Sequence, residues 1–124
     1  MPTRERVEQL IALVERGEYV KAIEDFYHAD ASMQENGLPP RVGRQVLVEH
    51  ERAVLAGLKE MRTRRVEAFL VDGDRVVINW VFEITGRDGS VRRLDELALQ
   101  TWNGDRIARE RFYYDPAQIR PPRA

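Results

Sequence analysis

FYHADASMQENGLPPRVG, running from Phe26 to Gly43, divides the chain into two kinds of structure. Its first residues close an apolar stripe, Tyr19, Ala22, Ile23, Phe26 and Tyr27, whose spacing is helical. At His28 that stripe fades, and Ala29, Asp30, Ala31 and Ser32 begin a different pattern. Asn36, Gly37, Pro39, Pro40 and Gly43 crowd residues 33 to 43 with breakers that predict a shaped loop. Glu35 and Asn36 therefore sit in a braked segment between two helices, where a carboxylate and an amide can be aimed into a cavity.

Upstream, Thr3 is placed to cap a helix near 4 to 16 with Val7, Leu10, Ile11 and Val14 on one face, and Gly17 is placed to end it. Downstream, Leu47, His50, Val54, Leu58 and Met61 predict one long helix from Arg44 to Met61. Beyond residue 62 the period changes. Val71-Asp72-Gly73-Asp74, Gly86-Arg87-Asp88-Gly89 and Asn103-Gly104-Asp105 have hairpin-turn composition and separate four strands near 62 to 71, 75 to 86, 91 to 102 and 106 to 114. The tail from Asp115, with Pro116, Pro121 and Pro122, reads as an irregular end. The fold class is α+β: three N-terminal helices packed in the concave face of a curled antiparallel sheet of four or more strands, shaped as a cone with a mouth. A length of 124 residues suits one domain over 1–124.

Bulk chemistry narrows the partners. Lys and Arg total 20 against 21 Asp and Glu, a formal charge of -1, so no overall field draws the chain to nucleic acid or anionic lipid. The arginines at 62, 64 and 65 and at 92 and 93 suit the wet face of strands. Cysteine is absent, which removes disulfides and thiolate chemistry and agrees with a cytoplasmic location. His28 and His50 are the only histidines and lack metal-ligand spacing, so no metal is expected. The N-terminus has no apolar leader core and no stretch reaches membrane-spanning length. Ser32 and Ser90 lack a nucleophile-elbow setting, and no phosphate loop or dinucleotide fingerprint occurs, so no cofactor is expected.

FYHADASMQENG, GRQVLVEHERAV and the closing WNGDRIARERFYYDP, in that order of elements, resemble the nuclear transport factor 2-like superfamily, the cystatin-like cone shared by SnoaL-like polyketide cyclases and ketosteroid isomerase-like proteins. The resemblance implies a hydrophobic pocket between the second helix, the following loop and the concave sheet, often in a homodimer. It does not imply an enzyme, because the scaffold hosts isomerases, cyclases, hydrolases and simple binders. In ketosteroid isomerase-like members a carboxylate after the second helix moves a proton beside a carbonyl, and Glu35 matches that catalytic base. The role requires a pKa lifted toward neutrality, for which Tyr27, Phe26 and Met33 would supply an apolar shell. A solvated loop glutamate, or one capping backbone near Gly37, is the plainer alternative. The same pattern places Leu10 where a tyrosine donor belongs and Ala98 near a protonated acid, so the usual oxyanion donors are missing and Tyr114, Tyr27 or Glu96 would have to replace them.

If the turn after 101 keeps even positions on one face, Glu96, Gln100 and Trp102 align across a hairpin with Glu110, Phe112 and Tyr114. That face is either a pocket wall with a few polar groups or ordinary solvent-facing sheet. Trp80, in a strand apolar on both sides, is core or pocket wall, and His50 on the third helix is a buried structural histidine or a cavity group. His28 reads as a helix-end cap. The apolar runs Val76 to Val81 and Leu97 to Leu99 leave surplus sheet surface for a homodimer. The expected function is a pocket for a small apolar molecule, with proton transfer on a carbonyl or cyclic metabolite through Glu35 and contacts from Tyr27, Asn36, His50, Trp80, Glu96, Gln100, Glu110, Phe112 and Tyr114. The alternative is a non-catalytic ligand-binding or dimerisation module.

Overall fold

The computed structural model describes residues 1–120. Helix α1, Arg4–Glu15, starts where Thr3 Oγ1 accepts the Arg6 amide at 3.0 Å and buries Val7, Leu10, Ile11, Leu13 and Val14. It ends at Gly17, whose φ of +80° suits glycine. Helix α2, Tyr19–Phe26, buries Tyr19, Ala22, Ile23 and Phe26, as the spacing requires.

The segment after α2 is a strand, not a loop. Strand β1 spans Tyr27–Glu35 and pairs in parallel with β7, Arg106–Tyr113, and in antiparallel with the short β2, Arg41–Val42. Alanine, aspartate and serine are poor strand formers, but a ladder on both edges overrides that preference. The irregular stretch shrinks to residues 36–40, entered at Asn36 with a left-handed φ of 50°. His28 consequently lies in β1, where its Nε2 meets the Asn103 carbonyl at 2.7 Å, and caps no helix.

Helix α3 is shorter than expected, Arg44–Ala56, and Gly57 closes it. Leu58–Thr63 form β3. A register shift between Leu58 and Glu60 keeps both Leu58 and Met61 facing inward, which is why the helical spacing continued to look valid. The single strand expected over 62 to 71 is thus two, β3 and β4 (Phe69–Asp72), which pair with opposite ends of β5, Arg75–Gly86. β5 and β6, Val91–Asn103, form a hairpin in continuous register from Arg75↔Thr101 to Thr85↔Val91.

The sheet has seven strands in the order β2-β1-β7-β6-β5-β3, with β4 beside β5. It is mixed rather than wholly antiparallel because β1 and β7 run parallel. It curls as half a barrel around the helices. Val76, Ile78, Trp80 and Phe82 of β5 face the same concave side as Glu96, Ala98, Gln100 and Trp102 of β6, and all are buried. The filled end of the cone holds Val7, Ile78, Trp102 and Ile107, all buried and none lining the cavity. The convex side leaves Leu97 and Tyr113, directly opposed across β6 and β7, 48% and 41% exposed. Pro116–Ile119 form a 3₁₀ turn whose Gln118 bonds the backbone of Asp95. Pro121 and Pro122 lie outside the described residues.

Candidate active site

The cone stays hollow at its wider end. A cavity of about 460 Å³ lies between α1, α2, α3 and the concave sheet, a volume suited to a small organic molecule. Its wall is aromatic: Trp80 stacks on Phe82 with ring centroids 6.1 Å apart, and Tyr19 meets Phe82 edge-on at 6.1 Å. The Tyr19 hydroxyl is turned aside to Thr63 Oγ1 at 2.7 Å, leaving its ring to the cavity. Into this apolar shell project four glutamates, Glu35, Glu51, Glu96 and Glu110.

Gln100 and Glu110 sit opposite each other across β6 and β7, and a buried chain of donors runs through them. Trp102 Nε1 donates to Gln100 Oε1 at 2.9 Å, Gln100 Nε2 donates to Glu110 Oε2 at 2.7 Å, and the Tyr27 hydroxyl meets Glu110 Oε1. An indole N–H can only donate, so it fixes which end of the Gln100 amide is oxygen. Oε2 of Glu110 must then accept, and any proton on this carboxyl belongs on Oε1, against Tyr27. Burial pushes the Glu110 pKa up, the Tyr27 and Gln100 hydrogen bonds pull it back, and it stands at about 7. Tyr27 is pushed well above its ordinary value by burial and by the Glu110 charge.

Glu96 has no such support. Its Cα partner across the ladder is Trp80, and among the described residues its carboxyl receives no hydrogen bond and forms no ion pair. Desolvation, then the charges of Glu110, Glu35 and Glu51, raise it to about 8, so it is chiefly a neutral acid at pH 7. Glu51 is raised by the same two causes, burial and the Glu35 charge.

Glu35 is the opposite case. Burial pushes it up, but the Tyr114 hydroxyl at 2.7 Å, the Arg41 guanidinium at 2.8 Å and the nearby His50 outweigh that and hold it below the ordinary carboxylate value. The upward shift that a base at this position needs is not present. Desolvation and the same bond raise the Tyr114 hydroxyl.

Of the other residues singled out in the sequence, Tyr27, His50, Trp80, Gln100, Phe112 and Tyr114 all line the cavity. Asn36 does not. Its Oδ1 accepts the Tyr114 amide at 3.0 Å and its carbonyl accepts Arg111 Nε at 2.9 Å, so it fixes the turn that carries Glu35. Leu10 lines the cavity and Ala98 is fully buried, so neither brings a donor to the site. Three charged lining residues lay outside the sequence expectation: Arg41, Glu51 and Arg92. Arg92 shares the even parity of Glu96 and Gln100 and belongs to the concave face, not the wet one. Among the described residues, no group of three or more His, Cys, Asp or Glu side chains is arranged to hold a metal ion. Nor is any helix among them long and apolar enough to cross a membrane.

A curled mixed sheet wrapped around three helices, with a hollow end bearing acids, defines a nuclear transport factor 2-like protein. Residues 7–110 match the SnoaL-like domain, and the chain belongs to that family. Three solved structures illustrate the likeness. A Mesorhizobium loti protein, provisionally described as a SnoaL-like polyketide cyclase, superimposes with a TM-score of 0.77 at 23% identity over 92% of this chain and 100% of its own. TerC, co-crystallised with polyporic acid, gives 0.77 at 22% identity over 91% of each chain. A Catenulispora acidiphila protein with a ketosteroid isomerase-like fold, in complex with trimethylamine, gives 0.79 at 18% identity over 94% of this chain and 90% of its own. These identities speak for the fold alone. None of the curated proteins compared with the chain matches it.

Proposed function

We propose that this protein binds a small apolar carbonyl compound in the cavity and moves a proton on it. The observation that carries the reading is the pair Glu96 and Glu110, two buried carboxyls without a counter-ion among the described residues, held near neutrality inside an apolar chamber. Glu96, neutral and otherwise unbonded, donates to the substrate oxygen. The proton beside the carbonyl passes to the Tyr27 oxygen while the Tyr27 proton passes to Glu110 Oε1. The balance is a keto-to-enol shift: one C–H bond breaks, one O–H bond forms on the substrate, and water resets the two acids. Glu35, which resists protonation, serves as a fixed anion that holds Arg41 and Tyr114. That TerC and the Catenulispora protein are crystallised with small organic molecules supports a ligand chamber on this scaffold.

Deuterium exchange into the acetyl group of 2-acetylnaphthalene, followed by NMR in D₂O, tests the reading without knowledge of the natural substrate. Wild type should accelerate exchange, and Glu96→Gln should lose roughly 10²-fold or more of it while still binding the ketone. Tight binding with exchange at the buffer rate would favour the non-catalytic binder instead.

The convex face supports a second copy of this chain as partner. Leu97 and Tyr113 are exposed together, and Asp95 on β6 and Arg111 on β7 flank them with opposite charges, so a two-fold contact would be self-complementary.

A further inference from the structure

Arg92 is the odd group of the cavity. It stands on the concave face of β6, two residues from Leu94 and four from Glu96, with Ile84 as its ladder partner. Four residues of strand separate it from Glu96 by about 13 Å along β6. Its Nε is buried with no hydrogen-bond partner among the described residues. The other two nitrogens are weakly held: Nη1 lies 3.4 Å from the Ile119 carbonyl and Nη2 lies 3.5 Å from Ser90 Oγ. Both are at the outer limit of hydrogen-bond length. Asp88, whose charge acts on Arg92 without forming an ion pair, spends Oδ1 on the Ser90 amide at 2.9 Å and the Ser90 hydroxyl at 2.7 Å.

A guanidinium with one unsatisfied N–H and two long bonds is poorly compensated, and an anion on its outer nitrogens lowers that cost. Nε itself is sealed by protein atoms, so a ligand carboxylate meets the weakly held Nη1 and Nη2, the outer edge of the guanidinium, which also takes two parallel bonds. The other arginine lining the cavity, Arg41, already pairs with Glu35. Arg92 is therefore the chamber's arginine without an ion pair among the described residues, and it stands at the far end of β6's concave face from the Gln100–Trp102 pair.

We propose that the ligand is an apolar ring compound bearing a carboxylate at one end, bound end-on by Arg92 Nη1 and Nη2, and a carbonyl oxygen at the other, placed against Glu96. This rests on the proton-transfer reading above and adds the substrate class. Between the two anchors the ladder supplies only Leu94 and the aromatic face of Trp80 and Phe82, so the body of the ligand is apolar. Arg92 selects and orients; it takes no part in the proton transfer.

Calorimetric binding of three probes at pH 7 tests the assignment: 6-acetyl-2-naphthoate, its primary carboxamide, and 2-acetylnaphthalene. The acid should bind wild type at least about tenfold tighter than the amide, the scale of one charge-assisted bidentate contact. In Arg92→Gln the acid should lose that advantage, while 2-acetylnaphthalene binds variant and wild type alike. Equal binding of acid and amide to wild type, a comparison that needs no variant, would overturn the assignment, as would a preference that survives Arg92→Gln. If 2-acetylnaphthalene binds and the acid gains nothing, only the Arg92 assignment falls. If none of the three binds, the chamber reading falls and takes this one with it.

Discussion

Gln100 Nε2 donates to Glu110 Oε2 at 2.7 Å across two neighbouring strands, and the direction of that bond is set by Trp102. The consequence is electrostatic. With the amide nitrogen pinned toward Glu110, the charged form of the carboxylate is favoured; with the amide free to turn over, its oxygen would favour the protonated form.

Trp102→Phe removes the donor while keeping an aromatic ring at a position that is 2% exposed. The Glu110 titration should move upward, and stability should fall by about 1–3 kcal/mol from the lost bond and the smaller ring. NMR titration of the carboxyl carbons and a urea melt read the two effects separately. An unmoved Glu110 midpoint would show that the indole does not orient the amide.

Stability should decline with rising pH. Glu96 and Glu110 have folded pKa values above the ordinary carboxylate value, so the folded state holds their protons after the unfolded chain has released them. Their contribution is fully present below about pH 4.5 and is lost as pH rises through about 7 to 8. Glu35, shifted downward, acts only at lower pH with the opposite sign. The melting temperature of wild type should therefore fall between pH 5 and pH 8, on the order of a few kcal/mol in stability, and Glu96→Gln should flatten the slope. Parallel slopes would mean that Glu96 ionises normally.

Glu35→Gln should have a mild effect. The Arg41 pair is partly exposed, with side chains 39% and 31% accessible, so its loss costs about 1 kcal/mol or less. Deuterium exchange should drop far less than in Glu96→Gln. The reverse order would return the base to Glu35.

Leu97→Asp places a charge in the centre of the exposed convex patch while touching nothing in the cavity. Light scattering should show wild type at twice the chain mass and the variant at the chain mass, with ketone binding unchanged. Wild type at the chain mass would remove the sheet-to-sheet dimer.

Local chemistry made much of this architecture legible. Thr3 and Gly17 bracket α1, and the Asp-Gly and Asn-Gly turns delimit β5, β6 and β7 within a residue or two. Period-two alternation placed Glu96, Gln100 and Glu110 on one face, and it holds because the bulge that brings Ile107 inward as well lies between Ile107 and Arg109, outside the Gln100–Glu110 register. The misses are non-local. Ala29 to Ser32 become strand only because β7, some 80 positions later, supplies a ladder, and Leu58 and Met61 satisfy a helix face and a bulged strand equally well. Arg92 carried the same parity signal as Glu96, but its charge suggested solvent. Arg41 and Glu51 were invisible because their approach to Glu35 depends on how the 36–40 turn folds back. The lowered pKa of Glu35 was unreadable for the same reason: two partners, Arg41 and Tyr114, outweigh the apolar shell.

Everything proposed for the chamber depends on Glu96 standing in it as a neutral acid. Titration of the Glu96 side-chain carbon by NMR in otherwise wild-type protein, assigned with Glu96→Gln, measures it directly. The midpoint should fall near 8, above that of Glu110. A midpoint near the ordinary value of 4.5 would contradict it and leave the cavity without its proton donor.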